Sequence, residues 1–126
     1  MSAPKILTEL DSSPVFGDDA SNPDIVIGGA GAAAAKTYTA DSTGMHVISQ
    51  VLFSYSAAPT GGRLTIEDGT GNYIADVDIS SAGPGPISFT PPLEGTLNTA
   101  MIVTLAAPGG SIVGKLNIRH KVKRYR

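Results

Sequence analysis

A chain of 126 residues with a formal net charge of −2, 15 Gly, 9 Pro and neither Cys nor Trp bounds a single domain of short elements joined by tight turns. Without Cys, neither a disulfide framework nor a thiolate metal centre can form, and no apolar run approaches the roughly 20 residues of a membrane helix. The N-terminal stretch lacks the basic patch and sustained apolar core of a secretory signal, so a soluble chain that is not exported by that route is expected.

The small net charge conceals a polarity. All eleven acidic residues precede position 115, where only Lys5, Lys36 and Arg63 oppose them, whereas the last twelve residues carry six bases and no acid. Such a terminus calls for an acidic or phosphate-bearing neighbour, which could be another protein, another copy of the chain or nucleic acid.

Residues 1–24 contain Pro4, Pro14 and Pro23 and follow no apolar period of 2 or 3.6, which describes an extended arm rather than an element. Its apolar residues Ile6, Leu7, Leu10, Val15 and Phe16 exceed what a solvated tail needs and are candidates for docking on the same or an adjacent subunit; a mobile terminus is the bland alternative. Asp24 to Ala35 holds Gly29-x-Gly31-x-x-Ala34, the glycine spacing of a dinucleotide-binding turn. That motif needs a βαβ unit, and the Ala run passes instead into strand- and turn-forming residues, so a small-residue linker or loose edge segment is expected and no nucleotide. The resulting division is an arm and linker over 1–35 and a β-sandwich domain over 36–126.

Lys36 to Ala40 predicts a short strand. Met45 to Ser56, the longest apolar stretch, predicts the central one, with Met45, Val47, Ser49, Val51, Phe53 and Tyr55 on its core face. Arg63 to Glu67 alternates around Leu64 and Ile66, with its other face wet. Asp68 to Asn72 mixes Asp, Asn and Gly, yet lacks the ligand spacing of a calcium loop and predicts a hairpin turn. Tyr73 to Ile79 then alternates, placing Asp76 and Asp78 on one solvent-facing side, where paired carboxylates ordinarily solubilise a strand.

Ile87 to Thr90 predicts a strand stopped by Pro91-Pro92, with Leu93 to Thr99 as a connection. Ala100 to Ala107 predicts a strand buried on both faces. The last strand, Ser111 to about Val122, sets Lys115, Arg119, Lys121 and Lys123 on one side, followed by Arg124 and Arg126. This ladder suits an acidic protein partner; phosphate contacts with Tyr125 stacking on a base, or a solvated edge strand protected by its cations, are the competing readings. Seven or eight strands at this spacing without a helix predict an all-β antiparallel sandwich of jelly-roll type carrying an extended N-terminal arm. An immunoglobulin-like sandwich is the alternative, weakened by the missing Cys pair and Trp.

His46 and His120 are the only histidines. No spacing motif joins either to a nucleophile or a metal set, so no enzyme, metal or cofactor is expected. Seven aromatics, with Phe53 and Phe89 assigned to the core, leave few for stacking on sugars.

The stretches SYSAAPTGGRLTIEDGTGNYIADVDI, GPISFTPPLEGTLNTAMIVTLAAPGG and VGKLNI, within Val47 to Asn117, resemble small tailed-phage and prophage virion proteins of the capsid decoration (cement) and head-fibre type. The resemblance implies a β-sandwich, as a trimer, on the outer capsid surface, where it binds the major capsid protein and reinforces the shell without catalysis, with neither membrane nor nucleic acid as partner. The arm residues and the basic C-terminal strand are then the expected contacts. A receptor- or glycan-binding module of a phage tail or head fibre is the alternative, with loops 57–62, 80–86 and 107–111 as recognition candidates.

Overall fold

The computed structural model describes residues 22–124. Eight strands follow in order: β1 (Asp24–Ile27), β2 (Ala34–Tyr38), β3 (Gly44–Tyr55), β4 (Gly62–Asp68), β5 (Tyr73–Ile79), β6 (Gly85–Glu94), β7 (Met101–Leu105) and β8 (Gly114–Arg124). They form two four-stranded sheets, β1-β8-β3-β6 and β2-β7-β4-β5, in which every pairing is antiparallel. This strand order is that of a jelly roll, in which successive strands cross from one sheet to the other. It excludes the immunoglobulin-like order.

The core lies between the sheets. Ile48, Val51, Phe53, Leu116 and Ile118 from one sheet meet Leu64, Ile66, Met101, Val103 and Leu105 from the other, all buried. The predicted Leu64 and Ile66 face is present, and Phe89 packs against the core as expected. Since a buried Leu or Ile contributes about 1.5–3 kcal/mol, these inner faces supply most of the driving force for folding.

The structure corrects several expectations. Of the two readings of Asp24 to Ala35, the edge segment holds rather than the linker: β1 pairs with β8 through Asp24 to Ile27, and Ala34, which is buried, opens β2. DIVI is too short to announce itself by period, but Val26 packs inward while Ile25 and Ile27 face out.

The core face of β3 is not a single parity either. A register shift at Ser49, seen against both β6 and β8, inserts one residue and turns the strand over. Val51, Phe53 and Tyr55 keep the predicted parity, whereas before the bulge Ile48 and His46 face inward in place of Val47 and Met45.

Pro91-Pro92 does not stop β6, which runs to Glu94. Among the described strands this one lies at a sheet edge, and the ladder to β3 passes from Ser88↔Gln50 to Leu93↔Ile48, so the prolines occupy an excursion from that ladder. β7 alternates between buried Met101, Val103 and Leu105 and half-buried Ile102 and Thr104, rather than being buried on both faces.

The Asp68 to Asn72 turn is a hairpin, closed by Asn72 N–H donating to the Gly69 carbonyl at 3.1 Å, with Gly69 and Gly71 at φ 82° and 83°. In β5 a register shift opposite Ile66 and Glu67 turns Ile74 toward the core and leaves Tyr73 outside.

Candidate functional site

The two ends of the sandwich carry different chemistry. The connections β1–β2, β3–β4, β5–β6 and β7–β8 gather at one end, bringing the three candidate recognition loops together. Thr60 N–H donates to the Pro108 carbonyl at 2.9 Å, and Tyr55 N–H to the Ala82 carbonyl at 2.8 Å. Gly31 belongs here too. Its φ is 69°, its N–H donates to the Ile112 carbonyl at 2.8 Å, and a Cβ would collide with the Gly110 carbonyl. The glycine spacing that mimicked a nucleotide motif therefore serves a close approach of two loops, and no helix follows it.

At the opposite end the histidines meet, although 74 positions separate them in the chain. His46 Nε2 lies 2.6 Å from the Thr39 carbonyl, which can only accept, so this nitrogen carries the hydrogen and Nδ1 is the acceptor. His120 Nε2 then donates to His46 Nδ1 across 2.8 Å. The His120 ring stacks on Tyr38 with centroids 3.7 Å apart and planes 10° apart, and Tyr38 Oη donates to Asp24 Oδ2 at 2.6 Å.

Burial and the neighbouring His46 depress the His120 pKa to about 4, so its ring is neutral at pH 7. Burial, reinforced by the Asp24 carboxylate, raises that of Tyr38. Residues 36–41 and His46 border an open depression of about 380 Å³ beside this network. The bonds described commit both His46 nitrogens to structure rather than to a ligand, and no group of three or more His, Cys, Asp or Glu side chains suited to a metal occurs among the described residues. Sequence reasoning missed this pairing because the bulge at Ser49, which turns His46 inward, leaves no mark in the period.

The basic strand is not a solvated edge. β8 lies between β1 and β3 over Lys115 to Ile118, so that reading is excluded for this stretch. Lys115 and Arg119 are exposed on the outer face of the sheet. Lys123 and Arg124 have acidic partners within the chain: Lys123 Nζ lies 3.3 Å from Glu94, and the Arg124 guanidinium lies 2.9 Å from Asp41. Lys121 is half-buried. Ile6, Leu7, Leu10, Val15, Phe16 and Arg126, also expected at a partner contact, lie outside the described residues, as does Tyr125.

Beside Lys115 and Asn117 stand two residues that the sequence did not single out. Ile25 and Ile27 are 65% and 64% exposed, side by side on the outer face of β1, with Ile27 opposite Lys115 and Ile25 opposite Asn117. On the other sheet Tyr73 is 51% exposed, and Arg63, whose guanidinium lies 5.6 Å from the Tyr73 ring centroid, pairs in bidentate fashion with Asp76 at 2.8 and 2.7 Å. Asp76 therefore faces solvent, as predicted, and Arg63 holds its carboxyl below the ordinary range.

No family model matches this chain, and no curated protein matches it. Among solved structures it is similar to the CBM36-1 domain of a multidomain xylanase from the hindgut metagenome of Trinervitermes trinervoides, with 9% identity, a TM-score of 0.41, and coverage of 84% of this chain and 75% of that one. It is also similar to TmCBM61 in complex with β-1,4-galactotriose, with 11% identity, a TM-score of 0.40, and coverage of 86% and 77%. A third is a family 35 carbohydrate-binding module from an environmental isolate, with 12% identity, a TM-score of 0.39, and coverage of 78% and 74%. The likeness is of fold alone, and the jelly-roll order stands on the strand pairing described above.

Proposed function

We propose that this chain is a non-catalytic binding module of a tailed-phage virion, which attaches to the outer surface of the major capsid shell and reinforces it. One structural observation carries the attachment: an exposed apolar pair, Ile25 and Ile27, next to the exposed cation Lys115 on an outer sheet face. Large aliphatic side chains grouped beside charge suit a partner that offers apolar surface ringed by acids. The resemblance of Val47 to Asn117 to capsid decoration proteins names that partner as the shell, and association buries surface that a domain of this size cannot bury alone.

The test is cosedimentation of the purified chain with mature capsids that lack it, with light scattering to give its mass in solution. Saturable binding at fixed stoichiometry, together with better survival of particles on heating, is the expected result. A free oligomer that ignores capsids overturns the reading.

A second reading, a glycan-binding module of a tail or head fibre, has its own observation. The exposed Tyr73 ring beside the bidentate Arg63–Asp76 pair offers an apolar face and fixed polar groups of the kind that sugars engage. A glycan screen in which binding is lost with Tyr73→Ala, while capsids are ignored, would replace the first reading with this one.

A further inference from the structure

The outer face of the β1-β8-β3-β6 sheet holds an anomaly near the histidine end. Since Ile48 and His46 face inward before the bulge, alternation turns Met45 and Val47 outward. Val47 stands opposite Lys121 and Glu94, and Met45 opposite Lys123. An apolar side chain on the outer face of a two-layer sandwich ordinarily meets water. Yet Val47 is 3% and Met45 9% exposed, and neither belongs to the core cluster.

We infer that residues 1–21 dock on this outer face, running beside β8 from Arg119 to Arg124 and covering Met45 and Val47 of β3. Three features point to this occupant. The first is direction: β1 is antiparallel to β8 and begins at Asp24 opposite Ile118, so a chain entering β1 arrives from the side of β8 residues 119–124. The second is charge. Residues 1–21 carry Glu9, Asp11, Asp18 and Asp19 against Lys5 alone, and the stretch of β8 they would follow carries Arg119, Lys121, Lys123 and Arg124. The third is composition, because Ile6, Leu7, Leu10, Val15 and Phe16 supply the apolar surface that two covered outer-face residues require. Length is no obstacle: an extended segment spans about 3.3 Å per residue, far more than the six positions of β8 to be followed.

The docking is independent of what the molecule binds, and it divides the cationic strand in two. The end at Lys115 faces outward beside Ile25 and Ile27, while the end from Arg119 onward is occupied by the chain's own acids.

Hydrogen exchange of the full chain, read by mass spectrometry against a synthetic peptide of residues 1–21, tests it. Amides of residues 1–21 are expected to exchange at least about tenfold more slowly in the protein than in the peptide. Val15→Asp combined with Phe16→Asp should return them to peptide rates and speed exchange over residues 119–124. Asp18→Lys with Asp19→Lys should do the same and be rescued by Arg119→Glu with Lys121→Glu, a recovery that a general loss of folding cannot produce. Peptide-like rates in the unaltered protein would overturn the inference and leave the stems of Lys121 and Lys123 as the cover of Met45 and Val47. Protection that fades on dilution would also overturn it, since the segment would then belong to a second copy.

Discussion

His120 shows how a single side chain reports its surroundings. Its ring is stacked on Tyr38, hydrogen-bonded to His46 and largely removed from water, and these surroundings favour the neutral form. Asp24 opposes that preference and Lys36 reinforces it. With a folded-state pKa of about 4, below the ordinary 6.5, the unfolded chain takes up this proton first as pH falls. The contribution to stability is therefore complete above pH 6.5 and is lost progressively toward pH 4. Because the ring is partly solvated, about 1–2 kcal/mol of the pH dependence belongs to it. Urea titrations of the unaltered protein and of His120→Phe should differ by that amount in their loss of stability between pH 7 and pH 4.5, with the variant showing the flatter curve. None of this pairing was legible in the sequence, where His46 and His120 are two isolated residues. Leu64, Ile66 and the solvent-facing Asp76 were legible, since short strands without an insertion obey the period of 2.

The insertion at Ser49 decides the meaning of a whole element. A bulge reverses every side chain beyond it, which is why the longest apolar stretch was correctly predicted as the central strand and yet half of its core face was misassigned. Deleting Ser49 removes the inserted residue, so Val51, Gln50 and Ile48 alternate directly and Ile48 stays inward with Val47 outward. The expected outcome is a retained cooperative urea transition with a modest shift in its midpoint, whereas loss of the transition would show that the bulge itself is required by the neighbouring strands.

A second tie lies at the same end. Asp68, buried at the close of β4, accepts hydrogen bonds from Thr96 N at 2.9 Å and from Thr96 Oγ1 at 2.6 Å. It thereby fastens the β6–β7 connection to the other sheet. Asp68→Ala removes two hydrogen bonds to a carboxylate, and since Thr96 is exposed and water can replace the acceptor, it should cost about 1–2 kcal/mol in urea unfolding. The sequence presents Asp68 only as the first residue of a turn, because its partner lies 28 positions away.

Across the whole molecule, strand count and turn chemistry carried the architecture, whereas the grouping of loops at one end and histidines at the other follows from the crossing of strands between sheets, which no local period encodes. The same crossing brings β1, an inconspicuous four-residue segment, beside the basic β8 and so creates the surface proposed for attachment. Ile25 and Ile27 make little contribution to the core because they face away from it, so replacing both by Thr should change stability by no more than about 0.5 kcal/mol. If they meet the capsid, the same pair of substitutions removes apolar contact area from the interface and should weaken cosedimentation with capsids about tenfold or more. Lys115→Gln addresses the neighbouring charge and should act differently, reducing the sensitivity of attachment to salt more than its strength at high ionic strength. Attachment that survives both sets of changes would place the capsid contact elsewhere. Loss of stability with the isoleucine pair would show instead that β1 is held by its outer face, and the two measurements, made on the same purified variants, separate these outcomes.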